Sequence, residues 1–216
     1  MRLGYDYILS FKNGIGYTFV HEIVRSYLQR KELRKWMKES YNSSFLPAIV
    51  KQNVLKDYAD RFNVKILIET GTFLGDTISA CRESFEKIIS IEVDEKLSKK
   101  AKKKFSKFDN ISILHGNSDI LLPHVISNIN SPCLFWLDAH YSGGITNKGE
   151  SDTPILAEIK QILNHSIDSH IILIDDARCF GSRKDYPTIC ELKALIYERH
   201  PDWHFEVKDD IIRIHR

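Results

Sequence analysis

The sequence lacks the features of several protein classes. Its four cysteines contain no Cys-x-x-Cys pair and are irregularly spaced, which indicates neither a zinc knuckle nor a disulfide framework. No apolar run approaches the ~18 residues of a membrane span, and the first residues lack the uninterrupted apolar core of a signal peptide. We therefore expect reduced thiols, no membrane association and a cytoplasmic location.

The sequence also has little excess charge. Its formal net charge is +2, whereas a nucleic-acid-binding protein concentrates a much larger basic excess on one face. We therefore expect no nucleic-acid partner. The chain of 216 residues is 43% hydrophobic and 28% charged, without a repeat or a low-complexity linker, which is typical of one large globular domain with a sizeable core.

The spacing of apolar residues changes near residue 64. Before it, apolar residues recur every four positions, which predicts an N-terminal helical segment over residues 1–62, packed on a main domain over 63–216. In the main domain, short apolar runs alternate with helical patterns, which predicts buried parallel strands. These runs cover 64–69, 87–93, 111–116, 133–138 and 170–176.

The C-terminal tail differs from these runs. Two strand-like pieces flank a Lys-Asp-Asp turn, which predicts an antiparallel hairpin at the sheet edge. The predicted fold is therefore α/β, a doubly wound and mostly parallel seven-stranded sheet of Rossmann-like type, with a C-terminal hairpin and an N-terminal helical extension.

A glycine turn follows the first predicted strand. Gly71 and Gly75 let a ligand approach the backbone, and Glu92, at the tip of the second strand, is placed to hold ribose hydroxyls. No lysine follows Gly75, which argues against a P-loop, and a dinucleotide fingerprint needs a third glycine. Glu69, just before the turn, would repel a diphosphate but suits a cation, which favours S-adenosylmethionine. The alternative is an ordinary tight turn beside a solvated acid.

Five segments carry a resemblance to a known family. The chain resembles the class I S-adenosylmethionine-dependent methyltransferases, looks most like small bacterial members, and is more distantly similar to the cation-dependent O-methyltransferases of catechols, caffeoyl-CoA and macrolide sugars. The resemblance covers residues 45–216 and identifies 63–216 as the cofactor-binding domain. The segments are "ETGTFLGDT", "IISIEVDEKL", "ILHGNSDILLP", "FWLDAHYSGG" and "ILIDDARCFG".

The resemblance implies a set of cofactor contacts. Glu92 would bind the ribose, and Asn117 and Ser118 would lie beside the adenine, although "GNSD" is equally good turn chemistry. The residues implied around the methionine end are Glu69, Gly71 and Gly75. The further cofactor contacts expected are Thr70, Thr72, Asp76, Thr77 and Asp138.

Three carboxylates end two neighbouring predicted strands. Asp138, Asp175 and Asp176 would converge on one rim of the sheet, which is costly unless a cation, a proton or hydrogen bonds compensate their charge. In the cation-dependent relatives the matching positions bind Mg²⁺, which prefers oxygen ligands. The resemblance therefore implies a Mg²⁺ site here. The alternative is that these aspartates cap loops or helices.

His140 lies two residues beyond Asp138. An imidazole titrates near neutral pH and can accept the proton of an acceptor hydroxyl, so His140 and Asp138 are the catalytic candidates. The catechol-type enzymes place a lysine where this chain has Tyr141, so phenolic acceptors are not implied. A histidine in a loop is often merely structural, and that alternative stays open.

A lysine-rich segment at 96–108 invites a nucleic-acid interpretation. Its helical spacing places Leu97, Ala101 and Phe105 on one stripe, which favours a solvated outer helix face instead.

These observations favour an S-adenosylmethionine-dependent O-methyltransferase that is assisted by a divalent cation. Its partner would be a small-molecule or saccharide acceptor, such as a sugar or a glycan precursor. The alternatives are an RNA methyltransferase, a nicotinamide-dependent oxidoreductase and a cofactor-binding protein without catalysis. The apolar N-terminal helices would cover the active site or a second subunit, so a homodimer is also open.

Overall fold

The computed structural model describes residues 46–138, 154–183 and 185–216, together with residues 24, 27–28 and 30–34, which are helical. The chain divides into two compact units, Met1–Val50 and Lys51–Arg216. The sheet and the site described below belong to the second unit. The predicted domain boundary between residues 62 and 63 stays a prediction.

The second unit contains a seven-stranded sheet in the order β3-β2-β1-β4-β5-β7-β6. Strands β1 to β5 are parallel, and β7 runs antiparallel between β5 and β6. The predicted α/β fold with a C-terminal hairpin is therefore confirmed. The strands are β1 Ile66–Thr70, β2 Lys87–Glu92, β3 Ile111–His115, β4 Cys133–Leu137, β5 Ile171–Ile174, β6 His204–Lys208 and β7 Ile211–His215.

Helices cover both faces of the central strands. Every residue of β4 and β5 is buried, as expected for parallel strands enclosed on two sides. The helices from residue 48 onward are α1 Ala48–Arg61, α2 Asp76–Cys81, α3 Glu95–Phe105, α4 Ser118–Ile126, α5 Ile155–Leu163 and α6 Ile189–Arg199, with a 3₁₀ turn at Ala177–Cys179.

The lysine-rich helix α3 buries one stripe. Leu97, Ala101 and Phe105 are buried, which confirms the predicted amphipathic orientation. The helix begins after Asp94, whose side chain accepts a hydrogen bond from the backbone N–H of Leu97 at 2.8 Å. A carboxylate at this position satisfies an otherwise unpaired N–H group and favours the helix dipole.

The C-terminal hairpin turns at Asp209 and Asp210. Both residues have positive φ, 53° and 56°, which a two-residue hairpin loop requires and which aspartate tolerates. The turn returns Asp210 to the end of β5, where its carbonyl accepts a hydrogen bond from the N–H of Ala177 at 2.9 Å. The predicted Lys-Asp-Asp turn thus contributes a carboxylate to the carboxyl edge of the sheet.

Among the described residues, no helix combines the length and the apolar character that crossing a bilayer requires.

Candidate functional site

The chain reverses its direction of winding between β1 and β4. From β1 it winds outward through β2 and β3, then returns to β4 and continues to β5 on the other side. In such sheets, ligands bind in the crevice beyond the carboxyl ends of the strands at this switch point. Thr70 pairs with Leu137, and Leu137 with Ile174, so Gly71, Asp138 and Asp175 follow at the same level.

The turn after β1 depends on its glycines. Gly71 and Gly75 have φ angles of 90° and 68°, which other L-residues rarely adopt. A Cβ atom on Gly75 would lie 2.6 Å from Cε2 of Phe105 on α3. The backbone of the turn therefore packs against α3 as only glycine allows.

Glu92 fastens the turn from the neighbouring strand. Its carboxylate accepts hydrogen bonds from the N–H groups of Phe73 at 2.7 Å and Asp94 at 2.9 Å. Burial raises the pKa of Glu92, and these two bonds lower it. Each carboxylate oxygen can accept a further bond, so this arrangement is compatible with the predicted ribose contact, which stays a prediction.

Lys104 also holds the turn. Its Nζ atom donates to the carbonyls of Leu74 at 2.8 Å and Gly75 at 3.1 Å, and lies 3.9 Å from Oδ1 of Asp76. The prediction that the lysines form a solvated face is therefore incomplete, because Lys104 couples α3 to the glycine turn.

Glu69 is almost completely enclosed. The residue is 1% exposed, and its Oε2 accepts a hydrogen bond from the hydroxyl group of Ser90 at 2.6 Å. The Ser90 hydroxyl also lies 2.6 Å from that of Thr72. Burial raises the pKa of Glu69 to about 8, the Ser90 hydroxyl opposes this rise, and the charge of Asp138 adds to it.

The raised pKa changes the expected state of Glu69. Near neutral pH and without a ligand, the group is mostly a neutral carboxylic acid and not a fixed anion. A positively charged ligand placed beside it would favour the carboxylate and lower the pKa. Glu69 can therefore couple cation binding to proton release.

The residues predicted beside the adenine follow β3. Asn117 is the N-cap of α4, without a side-chain capping bond, and Ser118 is buried. The N–H of Gly116 donates to the carbonyl of Glu92 at 2.9 Å, so the predicted ribose and adenine positions adjoin. Both interpretations of this segment, cofactor contact and turn chemistry, fit these positions.

Glu158 on α5 is a residue that the sequence interpretation missed. It is 0% exposed, and neither carboxylate oxygen has a hydrogen-bond partner among the described residues. Burial raises its pKa to about 7, and the hydroxyls of Ser118 and Thr70 oppose this rise although neither is placed to form a hydrogen bond with it. The sequence signal that could have indicated Glu158 is its position on the apolar stripe of α5. The other members of that stripe are Ile155, Ile159, Ile162 and Leu163.

The predicted acidic rim contains Asp138, Asp175 and Asp176. Asp138 is partly buried, and the residues Asp175 and Asp176 are each 5% exposed. Burial raises the pKa of Asp175 to about 7, the charge of Asp138 raises it further, and Lys51 opposes the rise. The structure therefore brings the three predicted carboxylates to one edge.

Two cations pair with the aspartates, and one of them, Lys51, was missed as a member of this rim. Lys51 on α1 forms an ion pair with Oδ2 of Asp175, and its Nζ lies 3.6 Å from Oδ1 of Asp176. Nη1 of Arg178 lies 2.8 Å from the same Oδ1 of Asp176 and pairs with Asp210 of the hairpin turn. These cations reduce the repulsion that close carboxylates would otherwise cause.

The rim does not fit a resident Mg²⁺ ion. Within the described ranges, no group of three or more His, Cys, Asp or Glu side chains is arranged to hold a metal ion. Oδ1 of Asp175 accepts the N–H of Asp176 at 2.8 Å, and Oδ2 faces the Lys51 ammonium. The Mg²⁺ prediction is therefore not supported.

His140 lies outside the described residues, as does Tyr141. The catalytic prediction for His140 therefore stays a prediction.

Comparisons with known proteins identify the fold. No family model matches the sequence, and no curated protein matches it. Solved structures do match. The methyltransferase PaMTH1 of Podospora anserina, bound to S-adenosylhomocysteine, is 16% identical, with a TM-score of 0.58 over 95% of this chain and 98% of that chain.

Two further structures show the same likeness. The O-methyltransferase TomG of Streptomyces achromogenes, involved in tomaymycin synthesis and in complex with S-adenosylmethionine, is 13% identical, with a TM-score of 0.58 over 97% of this chain and 92% of that chain. A Staphylococcus aureus protein assigned as a caffeoyl-CoA O-methyltransferase is 14% identical, with a TM-score of 0.57 over 94% of this chain and 100% of that chain. The chain therefore has the fold of the class I S-adenosylmethionine-dependent methyltransferases.

Proposed function

We propose that the protein is an S-adenosylmethionine-dependent O-methyltransferase that acts on a small hydroxylated acceptor. The observation that carries this proposal is the pair of carboxyl groups at the glycine turn. Glu69 is buried just before the turn, and Glu92 holds the turn from β2. Glu92 is placed to hold a ribose, and Glu69, which is mostly neutral without a ligand, would be ionised beside an ammonium or sulfonium group but not beside a pyrophosphate.

The proposed reaction is a direct displacement. The methyl group moves from the sulfonium sulfur, which keeps the electron pair of the broken bond, to the acceptor oxygen. The acceptor hydroxyl loses its proton to a base, for which we propose His140, with Asp138 at the end of β4 beside the acceptor. The protein contributes alignment of the two reactants and removal of the proton.

We further propose a sugar or a glycan precursor as the acceptor. This choice depends on the sequence at the acceptor side, where Tyr141 replaces the lysine of catechol-type relatives and His140 offers a different base. The divalent cation predicted from the resemblance is not part of this proposal, because Lys51 lies against the aspartates that would bind it.

Parallel calorimetric titrations test the proposed cofactor. S-adenosylmethionine, S-adenosylhomocysteine and NADH are each added to the wild-type protein and to Glu92→Ala. We expect saturable binding of the first two ligands to the wild type, weaker binding to the variant, and no binding of NADH. Saturable binding of NADH alone would instead support the oxidoreductase alternative. Circular dichroism of the variant controls for misfolding.

A further inference from the structure

Lys51 lies where a cation would bind among the aspartates. Its Nζ contacts Asp175 and is 3.6 Å from Asp176, and its side chain is only 17% exposed. Each aspartate follows β5, so the lysine reaches the acceptor side of the sheet edge from a helix 124 positions earlier in the chain. The ion pair is therefore long-range and built into the fold.

The carboxylates of Asp175 and Asp176 have partners besides Lys51. Oδ1 of Asp176 is shared between Lys51 and Arg178, and Asp175 uses its second oxygen for a backbone N–H. Mg²⁺ demands near-ideal octahedral coordination by oxygens at ~2.0–2.1 Å, and an ammonium group beside it would repel it. A divalent ion can bind here only if Lys51 leaves.

The charges also indicate that Lys51 stays protonated. Burial alone would lower the pKa of Lys51, but the charges of Asp175, Asp138 and Asp176 together raise it above its usual value. The Lys51 ammonium therefore places a positive charge at the sheet edge, where Asp138 follows β4.

We propose that the Lys51 ammonium replaces the divalent cation of cation-dependent relatives, so that this site holds no metal at all. Lys51 is then a positioning residue, which keeps Asp175 and Asp176 together beside Asp138. Its relevance to methyl transfer rests on the proposed function, but its exclusion of metal does not.

Metal titration of the wild type and three variants tests this proposal. The variants are Lys51→Met, which removes the charge, Lys51→Arg, which keeps it, and Lys56→Met, a control on the same helix whose lysine pairs with none of these aspartates. Thermal melts are recorded in EDTA and in Mg²⁺, and Mn²⁺ binding is followed by electron paramagnetic resonance.

We expect the wild type, Lys51→Arg and Lys56→Met to melt at the same temperature in EDTA and in Mg²⁺, and to bind no Mn²⁺. Lys51→Met should melt lower in EDTA by roughly 10 °C, because it leaves uncompensated buried carboxylates. It should gain Mn²⁺ binding and recover stability in Mg²⁺. If it folds poorly, refolding with and without Mg²⁺ gives the same comparison, and recovery only with the ion supports the proposal.

Two results would overturn the proposal. One is saturable Mn²⁺ binding by the wild type that Asp175→Asn abolishes, because the ammonium would then not exclude the metal. The other is a Lys51→Met protein, soluble or refolded, that gains no response to either ion. Failure of S-adenosylhomocysteine to bind the wild type would contradict the proposed function and leave the metal result unaffected.

Discussion

Binding of S-adenosylmethionine should release a proton from Glu69. The pKa of this buried carboxyl group is about 8, so about 90% of it is protonated at pH 7 in the free protein. If the cationic ligand lowers this pKa by several units, about 0.9 protons leave per ligand bound at pH 7. The dissociation constant should then increase about tenfold from pH 7 to pH 6, and change little above pH 9.

Calorimetry measures this release directly. Titrations at pH 7 in phosphate and in Tris, whose ionisation enthalpies differ, give the number of protons exchanged from the difference in apparent binding enthalpy. The amino group of the ligand titrates in a similar range, so Glu69→Gln is the matched control. This variant keeps the size of the side chain and its bond from Ser90 but cannot ionise.

The difference between the two proteins isolates the contribution of Glu69. We expect the wild type to release about 0.9 more protons than Glu69→Gln at pH 7 and to show the steeper pH dependence. Equal proton release by both proteins would show that Glu69 does not change its ionisation when the ligand binds.

Three further predictions concern stability. Burial raises the pKa of Glu158 to about 7 from its ordinary value of 4.5, so the group destabilises the protein increasingly as the pH rises from 4.5 through 7. Glu158→Gln should thus raise the unfolding free energy by up to about 3 kcal/mol at pH 8 and little at pH 4, and equal melting shifts at both pH values would contradict this. Glu92→Gln should cost about 1–2 kcal/mol in urea unfolding, because one of the N–H groups of Phe73 and Asp94 loses its acceptor, and an unchanged midpoint would argue against this anchoring. Thr188→Ala removes the capping box of α6 and should cost about 1 kcal/mol in the same assay, whereas no loss would show that the cap is dispensable.

Most of the sheet could be predicted from the sequence. The apolar runs matched the five parallel strands to within about two residues at either end, because strands buried on both faces need continuous apolar sequence. The convergence of the acids at the strand ends could also be predicted, since parallel strands end at one edge of the sheet. Asp138 and Asp175 were therefore placed together correctly.

The partners of these acids could not be predicted. Lys51 pairs with an aspartate 124 positions away, and a single sequence contains no local signal for such a contact. Ser90 likewise reaches Glu69 only because β1 and β2 pair in a register that places them side by side. Such long-range contacts and the burial of each carboxyl group decide whether that group is charged. The Mg²⁺ prediction lacks support because the contact of Lys51 with the aspartates could not be predicted from the sequence.

We propose that the crevice between β1 and β4 binds S-adenosylmethionine and its product S-adenosylhomocysteine, both of which carry an ammonium group at the amino acid end. A crystal structure grown with S-adenosylhomocysteine tests it most directly. We expect the ribose hydroxyls to bind Glu92 and the amino acid end of the ligand to lie against the turn after Glu69. Density for the ligand elsewhere, with the glycine turn and both glutamates uncontacted, would show that this crevice is not the cofactor site.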